Sequence, residues 1–334
     1  MSNLSTRLIL VLLFTTSLII NIHADAVKKY TIQPGSLTVS GISAGGFMAV
    51  QTQIAFSKSV KGSGIVAGGP YYCAQGQMMN ALMGCMKSPS SISLSSISGQ
   101  VAAYAKDGSI DPIDNVKNHK IYLFSGTQDS VVAPGVMAKL AEQYTSTFGV
   151  DKANIKTDFN TPAQHSMVTN DYGNSCSYLG SPYINNCNVD SAGAFFKQVY
   201  PDFKEGGSAV SSNLFTYKQS GKYSASSFSD TGYIYIPTAC QQGAECKVSV
   251  AFHGCNQGAS VIGTAYVSNA GYNKHAEINN IIVVYPQVGV SYFNPMNAQG
   301  CFDWFGYSNA KYATKKGDQM VAIANLLNDL GYSL

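Results

Sequence analysis

The segment Gly41-Ile42-Ser43-Ala44-Gly45 constrains this chain more than any other. A short apolar run at 37–40 precedes it, and Gly46-Phe47-Met48-Ala49-Val50 continues it in a helical pattern. A Gly-x-Ser-x-Gly turn between strand and helix holds its serine in a strained conformation, so that the hydroxyl projects from the end of a sheet. The flanking glycines let strand and helix approach closely. Ser43 is therefore read as a nucleophile, and the chain must build a strand–turn–helix unit around it.

The rest of the sequence fits such a sheet. Short β-branched or aromatic runs at 37–40, 64–67, 120–124, 155–159, 213–217, 233–236, 248–252 and 281–285 read as strands. Amphipathic stretches at 47–56, 136–148 and 319–330 read as helices. In the last, Met320, Ile323, Ala324, Leu327 and Leu330 form one apolar stripe, with Asp318 at the start and Gly331 just past the end. Strand–helix alternation with apolar strands predicts a mostly parallel sheet covered on both faces. The Gly/Ser-rich stretch 205–212 reads as a surface loop inside one domain, and the Ser-rich stretch 88–98, with Pro89 near its start, as an exposed loop.

A serine hydroxyl needs a base to take its proton. Of five histidines, His23 falls in an N-terminal leader. His119, close to Lys117 and Lys120, reads as a solvated strand boundary, and His275, between Lys274 and Glu277, as a helix-surface residue. His165 lies in a loop after the run 155–159, where a sheet of this kind carries its base. Asp129 ends a strand and Gly turn, Leu123-Phe124-Ser125-Gly126-Thr127-Gln128-Asp129, and is read as the acid that orients the imidazole. Its rivals are Asp111 and Asp114, in proline turns, and Asp158, inside a strand pattern. The order Ser43, Asp129, His165 is that of the α/β-hydrolase fold.

The same chemistry needs N–H donors for an oxyanion. Ala44, directly after the nucleophile, supplies one. The second usually comes from a His-Gly loop after an early strand. Here that signal, His253-Gly254-Cys255-Asn256-Gln257, lies after the triad. Joining Leu334 to Val27 would restore the usual order. The fold class expected is therefore α/β: a circularly permuted α/β-hydrolase, with a mostly parallel central sheet flanked by helices.

Arg7, the apolar run 8–22 and Ala24-Asp25-Ala26 read as a signal peptide over 1–26, followed by a single catalytic domain over 27–334. The expected destination is extracellular, with the periplasm as the alternative, and no stable membrane anchor remains after cleavage. All eight cysteines follow the leader. Their order and short spacings suggest the pairs Cys73–Cys85, Cys176–Cys187, Cys240–Cys246 and Cys255–Cys301. There is no C-x-x-C, so no metal site is expected. A net charge of +3 without a basic block argues against a nucleic-acid partner. A monomer needing no cofactor is expected.

Four segments together carry a family resemblance. They are Ser40-Gly41-Ile42-Ser43-Ala44-Gly45-Gly46, Gly180-Ser181-Pro182-Tyr183-Ile184-Asn185-Asn186-Cys187, His253-Gly254-Cys255-Asn256-Gln257 and Gly300-Cys301-Phe302-Asp303-Trp304-Phe305-Gly306-Tyr307. They resemble extracellular polyhydroxybutyrate depolymerases, in the single-domain, circularly permuted form known from fungi, over almost all of the chain after the leader. The resemblance implies hydrolysis of a short-chain polyester. It implies Ser43, Asp129 and His165 as triad, the N–H groups of Ala44 and Cys255 as oxyanion hole, and a Cys255–Cys301 bridge. The family segment is often richer in tryptophan, whereas Trp304 is the only one here. Trp304 reads equally as substrate-facing or as core. Two other functions stay open: a feruloyl, acetyl or small-ester carboxylesterase, and a catalytically inactive secreted polymer-binding protein.

Overall fold

The computed structural model describes residues 27–334. The leader 1–26, with His23 and the expected cleavage site, lies outside the described residues. Among the described residues, eleven strands occur in chain order: β1 (Thr38–Ile42), β2 (Gly62–Val66), β3 (Lys120–Phe124), β4 (Ile155–Asp158), β5 (Met167–Thr169), β6 (Asn174–Ser175), β7 (Ile184–Asn186), β8 (Leu214–Lys218), β9 (Thr231–Tyr235), β10 (Lys247–Phe252) and β11 (Ile281–Tyr285). The helices are α1 (Ala44–Ala55), α2 (Leu94–Lys106), α3 (Pro134–Ser146), α4 (Ser191–Val199), α5 (Thr238–Gln241), α6 (Ala259–Ile262), α7 (Ala265–Asn269), α8 (Tyr272–Asn279) and α9 (Asp318–Leu330).

Eight strands form one sheet in the order β4-β3-β2-β1-β10-β11-β9-β8, and β5-β7-β6 form a small second one. The large sheet is parallel from β4 through β11, and β9 alone runs against it. Counted from β8, the strands cross the sheet as 1-2-4-3-5-6-7-8, with Ser43 directly after the fifth. This is the α/β-hydrolase fold, circularly permuted. The two ends of the described chain meet where that permutation requires: the Tyr30 N–H donates to the Leu330 carbonyl at 2.9 Å. Strands on both sides of the exposed stretch 205–212 share the large sheet.

Side chains alternate along the strands, so the sheet has two apolar faces. On one, Val39, Ile65, Leu123, Val250 and Val284 pack with Phe47, Val50, Ile54, Met320, Ile323 and Leu327. On the other, Ile42, Val66, Phe124, Ala251 and Val283 pack with Phe195, Phe196, Tyr266 and Tyr272. All twelve residues of α1 are buried, so it has no solvent face and is not the amphipathic helix that 47–56 suggested. Its polar side chains are matched instead: Gln51 Nε2 donates to the Asp303 carbonyl at 2.9 Å, and Gln53 Oε1 accepts the Tyr144 hydroxyl at 2.6 Å.

Three further expectations are corrected. The stretch 88–98 is not a loop throughout, because α2 starts inside it. Ser93 caps that helix by accepting the Ser96 N–H at 3.3 Å, so serines there start a helix rather than prevent one. His119 is buried rather than solvated: Gln53 Nε2 donates to its Nδ1 at 3.1 Å, and its Nε2–H donates to the Ser57 carbonyl at 3.1 Å. Burial pushes its pKa down to about 4. His275 is also buried, and its Nε2 meets Asp190 Oδ2 at 2.7 Å.

Four disulfides join Cys73–Cys85, Cys176–Cys187, Cys240–Cys246 and Cys255–Cys301. Each pairs neighbours in cysteine order, so each closes a short loop except the last, which ties the loop after β10 to the segment beginning at Cys301.

Candidate active site

Ser43 sits at the C-terminal end of the central strand β1, where open α/β sheets gather their functional groups. Its φ of 57° and ψ of −126° are rare for a residue with a side chain. Its N–H donates to the Val66 carbonyl at 3.0 Å, and its carbonyl accepts the Phe47 N–H at 3.0 Å, which fixes the turn from both sides. The glycines around it answer to close approach. A Cβ on Gly41 would lie 2.4 Å from the Gly45 carbonyl oxygen, and one on Gly45 would lie 2.3 Å from the Phe252 carbonyl oxygen.

Asp129 and His165 come from neighbouring loops after β3 and β4. Those loops are laced together: Thr127 N–H donates to the Thr161 carbonyl at 2.9 Å, and Gln128 N–H to the Ala163 carbonyl at 3.2 Å. The His165 Nδ1–H donates to Asp129 Oδ2 at 2.8 Å. Asp129 Oδ1 accepts the Val131 and Val132 N–H groups, both at 2.9 Å. Each oxygen of this buried carboxylate is thus matched, and the imidazole keeps Nε2 for the cavity that His165 lines. Asp158 is turned to another task, accepting the Thr161 hydroxyl at 3.0 Å. Asp111 accepts the Lys58 N–H and pairs with Lys315, and Asp114 pairs with Lys117.

The His-Gly loop closes over Ser43. A Cβ on Gly254 would lie 3.2 Å from Ser43 Cβ. His253 is fully buried, and both its ring nitrogens are bonded to backbone. Its Nδ1–H donates to the Gly254 carbonyl at 2.7 Å, and its Nε2 accepts the Val288 N–H at 3.1 Å. Burial pushes its pKa down to about 4, so the ring is neutral. The Gly254 carbonyl and the Cys255 N–H share one peptide plane, so anchoring the carbonyl sets the direction of the N–H. The adjacent Gly254 and Asn256 N–H groups donate to Gln257 Oε1 and the Gln299 carbonyl. Among the described residues no acceptor meets the Cys255 N–H. Ala44 opens α1, where the first N–H groups of a helix also lack partners.

Ser43, Ala44, His165, Gly254 and Cys255 all line one cavity of about 460 Å³. Its other walls are mostly apolar, with Phe47, Leu82, Met86, Val132, Trp304 and Phe305 beside the amides of Asn256, Gln257, Asn297 and Gln299. Trp304 is both core and wall. It is 7% exposed and stacks on Phe47 with ring centroids 4.7 Å apart, yet it lines the cavity. The mouth is apolar too. Met78, Leu82 and Met296 line it and are well exposed, as are the adjoining Met79, Met83, Tyr292 and Phe293.

Sequence reasoning missed Asp303. This buried carboxylate accepts N–H groups from Phe305, Gly306 and Tyr307 on Oδ1 and from Ser308 on Oδ2, and so folds the turn that carries Trp304 and Phe305. Burial raises its pKa, against the pull of those donors. An aspartate followed by glycine and serine within five residues was the available signal.

No protein-family profile matches the chain. The chain is 44% identical over 314 residues to a poly(3-hydroxybutyrate) depolymerase of Delftia acidovorans; the match covers 92% of this chain and 62% of that relative, so the chain spans less than two thirds of its length. It is 36% identical over 327 residues to a polyhydroxybutyrate depolymerase of Talaromyces funiculosus, covering 92% and 93% of the two chains. A solved structure of a PHB depolymerase serine-to-alanine variant, complexed with an R3HB trimer, superposes with a TM-score of 0.86 at 34% identity, over 92% of this chain and 100% of that one. With the fold, the strained serine turn and relatives matched over nearly their whole length all agreeing, the chain belongs to the polyhydroxybutyrate depolymerase family.

Proposed function

We propose that this chain is a secreted, monomeric serine esterase that hydrolyses the ester bonds of short-chain polyhydroxyalkanoate, polyhydroxybutyrate in particular. The observation that carries the reading is the meeting of Ser43, the His165–Asp129 pair and the loop of Cys255 at one apolar cavity. Four disulfides and the signal-like leader support an extracellular destination.

The mechanism is two-step acyl transfer. His165 Nε2 takes the Ser43 proton as Oγ attacks the ester carbonyl. Asp129 holds Nδ1–H, fixes the tautomer and stabilises the imidazolium. The N–H groups of Ala44 and Cys255 receive the oxyanion. As the intermediate collapses, the alcohol end of the polymer leaves with the proton from His165. Water, deprotonated by the same nitrogen, then releases the acid end and restores Ser43. No cofactor takes part. The aliphatic walls and Trp304 suit a polyester backbone, and the exposed Met78, Leu82 and Met296 at the mouth suit contact with a solid polymer.

The test is clearing of a polyhydroxybutyrate suspension beside hydrolysis of soluble p-nitrophenyl butyrate, with Ser43→Ala as control. Both activities are expected, and both should fall by about 10⁶-fold in the variant. Soluble-ester hydrolysis without clearing would move the substrate to small or polysaccharide-linked esters. Ser43→Ala with full activity would end the triad assignment.

A further inference from the structure

We infer that Gln257 is a positioning residue that registers the oxyanion loop against the loop of the catalytic base. The inference rests on the assignment of Ser43, His165 and Cys255 just given. Gln257 is fully buried, and every bond its amide makes is to backbone. Its Oε1 accepts the Gly254 N–H at 2.8 Å. Its Nε2 donates to the Pro182 carbonyl at 3.1 Å and to the Tyr183 carbonyl at 2.9 Å. The Tyr183 carbonyl also accepts the Met167 N–H at 2.8 Å, two residues after His165.

A continuous path results. It runs from Gly254, whose next peptide carries the Cys255 N–H, through the Gln257 amide to Tyr183, and from there to the strand that begins beside His165. The two loops come from distant parts of the chain, one after β10 and the other after β4. Among the described residues, no other hydrogen bond joins 253–258 to 161–187. His253 sets the direction of the Cys255 N–H within its own loop. Gln257 sets the distance of that loop from the base. The oxyanion donors and the base must act on one tetrahedral centre, so this distance is a catalytic variable.

The bonding pattern also explains the residue type. The site needs an acceptor at one end of a planar group and two donor hydrogens at the other, which a primary amide supplies. Gln257→Glu preserves shape and the acceptor but sets a carboxylate against two carbonyls. Gln257→Leu removes both ends.

The experiment measures both variants on p-nitrophenyl butyrate, well below their unfolding midpoints, with Ser43→Ala alongside. Expected is a fall in kcat of about 10- to 100-fold with KM changed by less than about twofold. Affinity for an alkyl boronate, which mimics the tetrahedral intermediate, should fall in step with kcat. For Gln257→Glu, kcat relative to the unchanged protein should recover as pH drops from about 8 to about 6, as the carboxyl regains a proton to donate. Asp190→Asn, whose side chain bonds His275 and the Gly193 N–H and no residue of 161–187 or 253–258, serves as a variant of lowered stability and should keep its kcat. Three results would overturn the inference: kcat within about threefold for both variants, an equal kcat loss in Asp190→Asn, or failure of both Gln257 variants to fold, which would make the role one of folding. A fully active Ser43→Ala would instead overturn the functional assignment beneath it.

Discussion

Among the described residues, two buried histidines each meet an aspartate at nearly equal distance. His165 meets Asp129 at 2.8 Å and His275 meets Asp190 at 2.7 Å. They differ in which nitrogen is used and in what surrounds it. His165 bonds through Nδ1 and keeps Nε2 for a cavity that also holds Ser43. His275 bonds through Nε2, and its Nδ1 is buried without a partner. Asp129 is held by two N–H groups of its own loop, whereas the second oxygen of Asp190 caps α4 by accepting the Gly193 N–H at 2.9 Å. Burial works against the Asp190 charge, but His275, Gly193 and Lys274 together hold its carboxyl below the usual range. A histidine–aspartate pair is therefore not in itself a catalytic device. In the proposed mechanism the free nitrogen, Ser43 and access to the cavity make it one, and without them the same pair pins helix α8 to the start of α4.

The sharpest way to break this contrast is to remove each imidazole. His165→Ala should lower esterase kcat by about 10⁵- to 10⁶-fold with little change in unfolding midpoint. His275→Ala should leave kcat within about twofold and lower the midpoint; steady-state kinetics and thermal melts on both variants decide it. The carboxylates follow. Asp129→Asn should lower kcat by about 10⁴-fold by favouring the wrong tautomer of His165, as in other serine triads. Asp190→Asn, which keeps an N-cap acceptor but weakens the bond to His275, should cost about 1 kcal/mol in urea unfolding and spare catalysis. Equal kinetic losses at the two aspartates would erase the distinction.

A smaller effect tests the neutral histidines. His119 and His253 have folded pKa values of about 4, below the ordinary value near 6.5. The unfolded chain binds their protons first, so the stability they allow is complete above about pH 6.5 and is lost as pH falls toward about 4. Each accounts for about 3 kcal/mol over that window. His119→Gln should flatten the acid decline in urea stability between those limits by about that amount. An unchanged slope would mean that the ring is already charged in the fold.

Much of this was legible in sequence because the signals are local. The serine turn, the strands of the large sheet and the stripe of α9 each declare themselves within a dozen residues. The His-Gly loop, out of its usual order, revealed the permutation. The environments of His119 and His275 were not legible, because their partners, Gln53 and Asp190, lie far away in the chain. Polar neighbours made both look like surface residues. For the same reason Gln257 stood in the motif without a role: its two carbonyl partners belong to another loop. Asp303 was hidden by the aromatic residues around it, although its turn is local.

The pairing of Thr38 with Ser249 at the centre of the sheet bears on how the chain is made. β1 leaves the ribosome among the first strands, and β10, its neighbour on one side, among the last. Throughout synthesis the nascent protein carries a half-sheet, β1 to β4, whose inner border of apolar strand is open. That border is open to mispairing until β10 arrives, and the permutation makes its exposure last for most of translation.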